Sequence, residues 1–125
     1  MIRRTLALLG TVLAVGSCAS ASRMAPRERD LISRPEITAT NAHTAFDAVQ
    51  QLRPDFLRGR SISARSRVRM QTPLVYLDGR RLGELAQLRS IPATIVQSIQ
   101  LIGASDATTR WGTGHSAGVI EVRTR

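Results

Sequence analysis

Pro73-Leu74-Val75-Tyr76-Leu77-Asp78-Gly79-Arg80-Arg81-Leu82 combines a short apolar run, a two-residue turn signal and a return. Asp-Gly tolerates the positive φ angles that a tight hairpin turn requires, so the pattern predicts an antiparallel hairpin with strands on either side of Asp78-Gly79. A lone hairpin is only marginally stable, and its apolar strand needs further strands and a helix to cover it. Both are present in the sequence. Gly118-Val119-Ile120-Glu121-Val122-Arg123-Thr124 has the β-branched character of a strong closing strand. Val96, Ile99, Leu101 and Ile102 predict another strand, ended by Gly103 and entered from a short helical turn at Ala93 to Val96, with Pro92 suited to a first helical position. Gly83 to Leu88 reads as loop or short helix.

The helix to pack on these strands lies upstream. Asn41 is a good N-cap, and Ala42, Ala45, Phe46, Val49 and Leu52 follow at helical spacing until Pro54. The expected helix is Ala42 to Leu52, with Phe46, Val49 and Leu52 toward the core and Asp47, Gln50 and Gln51 toward water. His43, in its first turn, is expected to be a surface residue. Ala104 to Gly118 reads as a turn-rich connection with glycines at 112, 114 and 118.

A length of 125 residues suits one small domain rather than a large enzyme or a membrane barrel. Aromatic residues are only 3%, namely Phe46, Phe56, Tyr76 and Trp111, so the core must come mainly from Leu, Ile, Val and Ala. All 18 basic residues are arginine, and the formal charge is +9. The positive field is local. Residues 53–69 hold Arg53, Arg58, Arg60, Arg65, Arg67 and Arg69 against Asp55 alone, whereas the rest of residues 36–125 carries six arginines and six acids. This segment reads as a solvated loop, or as an electrostatic patch for an acidic partner bound through guanidinium contacts.

The N-terminus sets the compartment. Met1-Ile2-Arg3-Arg4 is a short positive start, followed by an apolar run of ten residues, Leu6 to Val15, and by small residues. This is secretory signal architecture, and the run is about half the ~20 residues that a permanent membrane span needs. Val15-Gly16-Ser17-Cys18 resembles a bacterial lipobox. The resemblance implies removal of residues 1–17 and a diacylglyceryl group on Cys18, the only cysteine. Residue 19 is Ala and not Asp, so nothing resembles an inner-membrane retention signal. Ala19 to Pro35 is small, charged and proline-bearing, so residues 18–35 are expected to be the lipidated N-terminus and a flexible tether, with Leu31-Ile32 the one stretch suited to docking on the domain. Export argues against nucleic acid as the partner of the arginine patch, which also lacks interleaved aromatics.

Taken together, residues 36–125 resemble the plug domain of TonB-dependent outer-membrane receptors. The resemblance rests on a helix ending near a proline (Ala45 to Pro54), an apolar strand running into Asp-Gly (Leu74 to Gly79), an Ile-Pro before a strand (Ile91 to Ile102), and a final Gly-Val-Ile strand (Ala117 to Arg125). Arg110-Trp111-Gly112 and Ala117-Gly118 are similar to the plug segment joining these parts. The resemblance implies an α+β fold, a small plug-like domain with a mixed β-sheet and short helices. In that family the same chain supplies a barrel, which this sequence does not encode, so the expectation is a lipid-anchored module at the outer membrane, facing the periplasm, that binds or assembles with an envelope protein and is not itself a transporter. The alternative is an accessory to outer-membrane uptake that binds a small ligand in a concave site near Trp111 and Tyr76.

Catalytic chemistry has little support. Ser105, Asp106 and His115 are the residue types of a hydrolase triad, but they fall in one glycine-rich connection without a nucleophile elbow. Two histidines and an acylated cysteine do not make a closed zinc site, and the acids lack calcium-loop spacing. Gly112-Thr113-Gly114 is a lone Gly-x-Gly explained by a tight turn. No enzymatic activity, metal or other cofactor is expected.

Overall fold

The computed structural model describes residues 26–58, 60–62 and 69–124. In chain order these form α1 (Pro26–Arg29), β1 (Leu31–Ser33), α2 (Arg34–Thr38), α3 (Ala45–Leu52), β2 (Arg60–Ile62), β3 (Arg69–Gln71), β4 (Leu74–Leu77), β5 (Arg80–Gly83), β6 (Val96–Ile102), α4 (Ala104–Trp111) and β7 (Val119–Thr124). Short 3-10 turns occupy Pro54–Leu57, Leu85–Ser90 and Ala93–Ile95. The fold is α+β with a mixed five-stranded sheet, ordered β1-β6-β7-β4-β5. β7 is central, antiparallel to β6 and parallel to β4.

The hairpin forms as its sequence requires. Asp78 (φ 49°) and Gly79 (φ 82°) both take positive φ, and Leu77 pairs with Arg80 across them. The turn is tied to the end of β7, because Thr124 N–H donates to Asp78 Oδ1 at 2.8 Å and Asp78 N–H donates to Val122 O at 2.9 Å.

Alternation along the strands divides the interior into two layers. Val75, Ile99, Ile120 and Val122 turn to one face, where they meet Ala45, Ala48 and Val49 of α3, with Leu88 and Ile91 closing the side. Tyr76, Ile102 and Val119 turn to the other and meet Ala107, with Trp111 packed alongside. Because β7 is covered on both faces, its buried run Val119 to Val122 is nearly continuous, as in a central strand.

Four elements depart from the sequence reading. The major helix begins at Ala45, not Ala42, because Thr44 and not Asn41 is the cap. Thr44 Oγ1 accepts from Asp47 N–H, and the Asp47 carboxylate accepts from Thr44 N–H. The preceding residues are held instead to the approach of β6, through Ala93 N–H to His43 O and Ala45 N–H to Ile91 O. Ala45, Ala48 and Val49 are its fully buried residues, while Phe46 and Leu52 are half-buried and Arg89 lies 4.4 Å over the Phe46 ring.

Secondly, folded structure starts before Glu36. Leu31–Ser33 pairs with β6 as an edge strand, and Ile32 is completely buried against Ile99 and its neighbours. Three residues are too few to show periodicity, but the docking expected of Leu31-Ile32 is made here by Ile32. Residues 18–25 of the expected tether, with residues 1–17, lie outside the described residues. Thirdly, the segment 53–69 is not one loop, since it contains a 3-10 turn at Pro54–Leu57 and the strand β2, which pairs with β3 in a separate two-stranded sheet. Fourthly, Ala104–Trp111 is a two-turn helix and not a turn-rich connection. Thr108 and Thr109 return their hydroxyls to the carbonyls of Ala104 and Ser105 one turn earlier.

The Glu36 carboxylate is held below its ordinary pKa, first by the backbone N–H of Ser33 and further by the Ser33 hydroxyl and Arg53. Asp78 is lowered in the same way by the hydroxyl and N–H of Thr124. A folded pKa below the unfolded one stabilises the fold above the ordinary carboxylate range, and that stabilisation is lost as pH falls through the folded values. Thermal melts followed by circular dichroism should therefore show a stability that is level near neutrality and drops below about pH 4. A Glu36→Gln, Asp78→Asn double variant should show a shallower drop.

Candidate functional site

The site grows from one row across the sheet. Pairing places Gln100, Glu121, Tyr76 and Arg81 side by side on β6, β7, β4 and β5. Over this row lies α4, whose Ala107 and Trp111 are four residues apart and so share a face. Trp111 stacks on Tyr76 with ring centroids 4.5 Å apart and planes tilted by 37°.

After α4 the chain reverses and returns His115 to the same place. The Tyr76 hydroxyl lies 2.8 Å from His115 Nε2, and His115 Nδ1 lies 2.8 Å from Gly112 O. A carbonyl can only accept, so Nδ1 carries a proton, and in the neutral imidazole Nε2 then accepts from the tyrosine O–H. Both residues are 6% exposed. The pairing satisfies two polar groups that would each be costly to bury alone.

Glu121, also 6% exposed, is the one carboxylate buried among the described residues. Its Oε2 lies 3.4 Å from Arg123 and 3.9 Å from Arg110, two half-exposed guanidinium groups that supply the compensating charge from the solvent side. Arg110 also lies 5.9 Å over the Trp111 ring. The result is a polar and aromatic layer in which each buried side-chain nitrogen or oxygen has a partner.

Beside His115 a cleft of about 350 Å³ opens between the β3–β4 connection, Arg81 and the Gly114 to Gly118 turn. Gln71, Thr72, Arg81 and Ser116 give it a polar lining, and Ser116 Oγ donates to Gln71 Oε1 across one side. Hydroxyl, amide and guanidinium donors in one concave place suit binding by hydrogen bonds. No family model, curated protein or solved structure matches the chain.

The residues singled out from sequence scatter. Cys18, Arg65 and Arg67 lie outside the described residues. Arg53 is a structural tie, 3.2 Å from Glu36 and donating also to the carbonyls of Leu52 and Arg29. Arg58 is exposed and paired with Asp55 at 3.3 Å, a surface contact of little energetic weight. Arg60 and Arg69 belong to the paired backbones of β2 and β3. Ser105, Asp106 and His115 do not assemble as a triad, because both ring nitrogens of His115 are engaged by Tyr76 and Gly112. Among the described residues no helix is long and apolar enough to cross a membrane, and no group of three metal-ligating side chains forms.

The sequence pointed to a concave site near Tyr76 and Trp111, which do stack on each other, but gave no sign that His115, Glu121 and Arg81 converge beside them. Only Glu121 left a local signal, as a charge inside the apolar run Val119 to Val122.

Proposed function

We propose that the protein is a lipid-anchored binding or assembly module of the cell envelope, with a plug-like fold, and not itself a transporter. One observation carries this reading: the only cysteine, Cys18, directly follows Val15-Gly16-Ser17 at the end of an apolar run of ten residues behind two arginines. Acylation there would anchor the chain by simple burial, at roughly 0.8 kcal/mol per methylene, and two or more chains suffice for stable attachment. The first described element begins at Pro26, eight residues later. Fully extended, eight residues reach about 28 Å, which would keep the domain close to the headgroups.

The sheet offers a place for a protein partner. β5 is an outermost strand with Arg80, Arg81 and Leu82 exposed, and its outer edge carries backbone groups suited to pairing with an extended segment. The second reading, a small-ligand accessory to outer-membrane uptake, is favoured by the polar cleft beside Tyr76 and His115.

Fractionation of a bacterial host that processes lipoproteins tests the anchor. The native chain should sediment with membranes and be released by detergent, whereas Cys18→Ala should move to the soluble periplasmic fraction. An identical distribution of the two would overturn the proposal.

A further inference from the structure

The four best-formed clefts among the described residues differ in charge. One of about 310 Å³ sets Arg110 against Asp30 and Asp106, and one of about 220 Å³ sets Arg58 against Asp55. A third, of about 210 Å³, has no charged lining. Of these four, the cleft beside His115 alone combines an arginine with no carboxylate.

That arginine, Arg81, is exposed and has no ion-pair partner among the described residues, in contrast to Arg53, Arg58, Arg110 and Arg123. Its backbone is fixed in β5 opposite Tyr76, which the His115 bond holds in turn. Two further donors line the same space. Gln71 carries amide N–H groups that can donate, and the Thr72 hydroxyl makes no hydrogen bond within the described residues.

We infer that this cleft binds the phosphate group of a phosphate monoester through Arg81, Thr72 and Gln71. Three separate donor groups suit an anion with three terminal oxygens better than a carboxylate with two, and a guanidinium presents its N–H groups in the fork such an anion accepts. The volume is at the low end of small-molecule sites, about 300–1,000 Å³, and leaves room for an organic group on the phosphate. The inference rests on the small-ligand reading and not on the anchor. A soluble phosphate ester and a lipid headgroup offer the same chemistry.

Trp111, the single tryptophan, stacks on Tyr76 and reports on this place. The full chain, purified in neutral detergent, is titrated with glycerol 3-phosphate, glycerate and short-chain phosphatidate, with Trp111 fluorescence and calorimetry as readouts. The expected result is saturable binding of at least one phosphate ester below about 10 mM, with glycerate weaker, and loss of about ten-fold in affinity in Arg81→Gln. Arg80→Gln, the same charge change on the neighbouring residue, should leave affinity unaltered. Binding of glycerol 3-phosphate assigns the site to a soluble ester, and binding of phosphatidate alone assigns it to a lipid headgroup. Binding of neither ester, glycerate binding as tightly, or equal loss in Arg80→Gln and Arg81→Gln would overturn the inference. None of these outcomes depends on Cys18, so failure here is distinct from failure of the anchor.

Discussion

Gly118→Ala should lose about 3 kcal/mol or more of folding stability, a large part of the roughly 5–15 kcal/mol that holds a domain of this size. Two effects coincide at this buried residue. Its φ of +88° is strained for any residue with a Cβ, at about 1–2 kcal/mol. A Cβ built there would also lie 2.5 Å from Ile102 O. That oxygen belongs to backbone, and Ile102 is the residue paired with Val119 at the start of β7. Relief would require the β6–β7 ladder to part where the polypeptide enters its central strand. Gly79→Ala separates the two effects, since its φ of +82° is similar but nothing lies within 4 Å of its Cβ position. Urea denaturation should show a loss of about 1 kcal/mol for Gly79→Ala and a much larger one for Gly118→Ala. Equal losses would mean that the close approach to Ile102 carries no weight.

Ile32→Ala should cost about 3 kcal/mol, within the usual range for truncating a fully buried isoleucine. Ile32 is 0% exposed and packs in the same cluster as Ile99, Ile120 and Val122. Leu31, one residue earlier on the same strand, is 37% exposed, and Leu31→Ala should cost less than about 1 kcal/mol. The contrast matters because this stretch has the composition of a linker. A buried residue here means that the cooperative unit starts well before Glu36, and it shortens the span between Cys18 and the folded domain. If both variants melted together near the native chain, Leu31–Ser33 would not be part of that unit.

How much could be read from sequence followed the range of the interactions. The β4–β5 hairpin was legible because its cause lies in two adjacent residues, Asp78 and Gly79, which adopt the positive φ angles their chemistry permits. β6 and β7 were legible because burial leaves runs of β-branched residues, and the mixed character of the sheet agrees with the parallel pairing of β4 and β7. The start of α3 was misplaced by three residues because Asn41 and Thr44 are both good caps, and the choice falls to Asp47, which completes a reciprocal pair with Thr44. α4 was hidden by Ser and Thr, weak helix formers, and its only helical signature is the pair Ala107 and Trp111.

The site was least legible. Tyr76 and His115 are 39 residues apart, and their hydrogen bond depends on β7 lying beside β4 and on α4 returning the chain across the sheet. No local pattern encodes that meeting. Arginine count also misled, since Arg53, drawn from the most basic segment, ties α2 to the end of α3, while Arg81, without an ion pair among the described residues, stands in a hairpin whose sequence speaks only of turn geometry.

Lipid anchorage at Cys18 is tested by intact mass and peptide sequencing of the mature N-terminus, on protein extracted from membranes of a host that processes lipoproteins. The expected chain begins at Cys18 and carries a diacylglyceryl group on its sulfur. A chain that keeps residues 1–17 with a free thiol at Cys18 would contradict it.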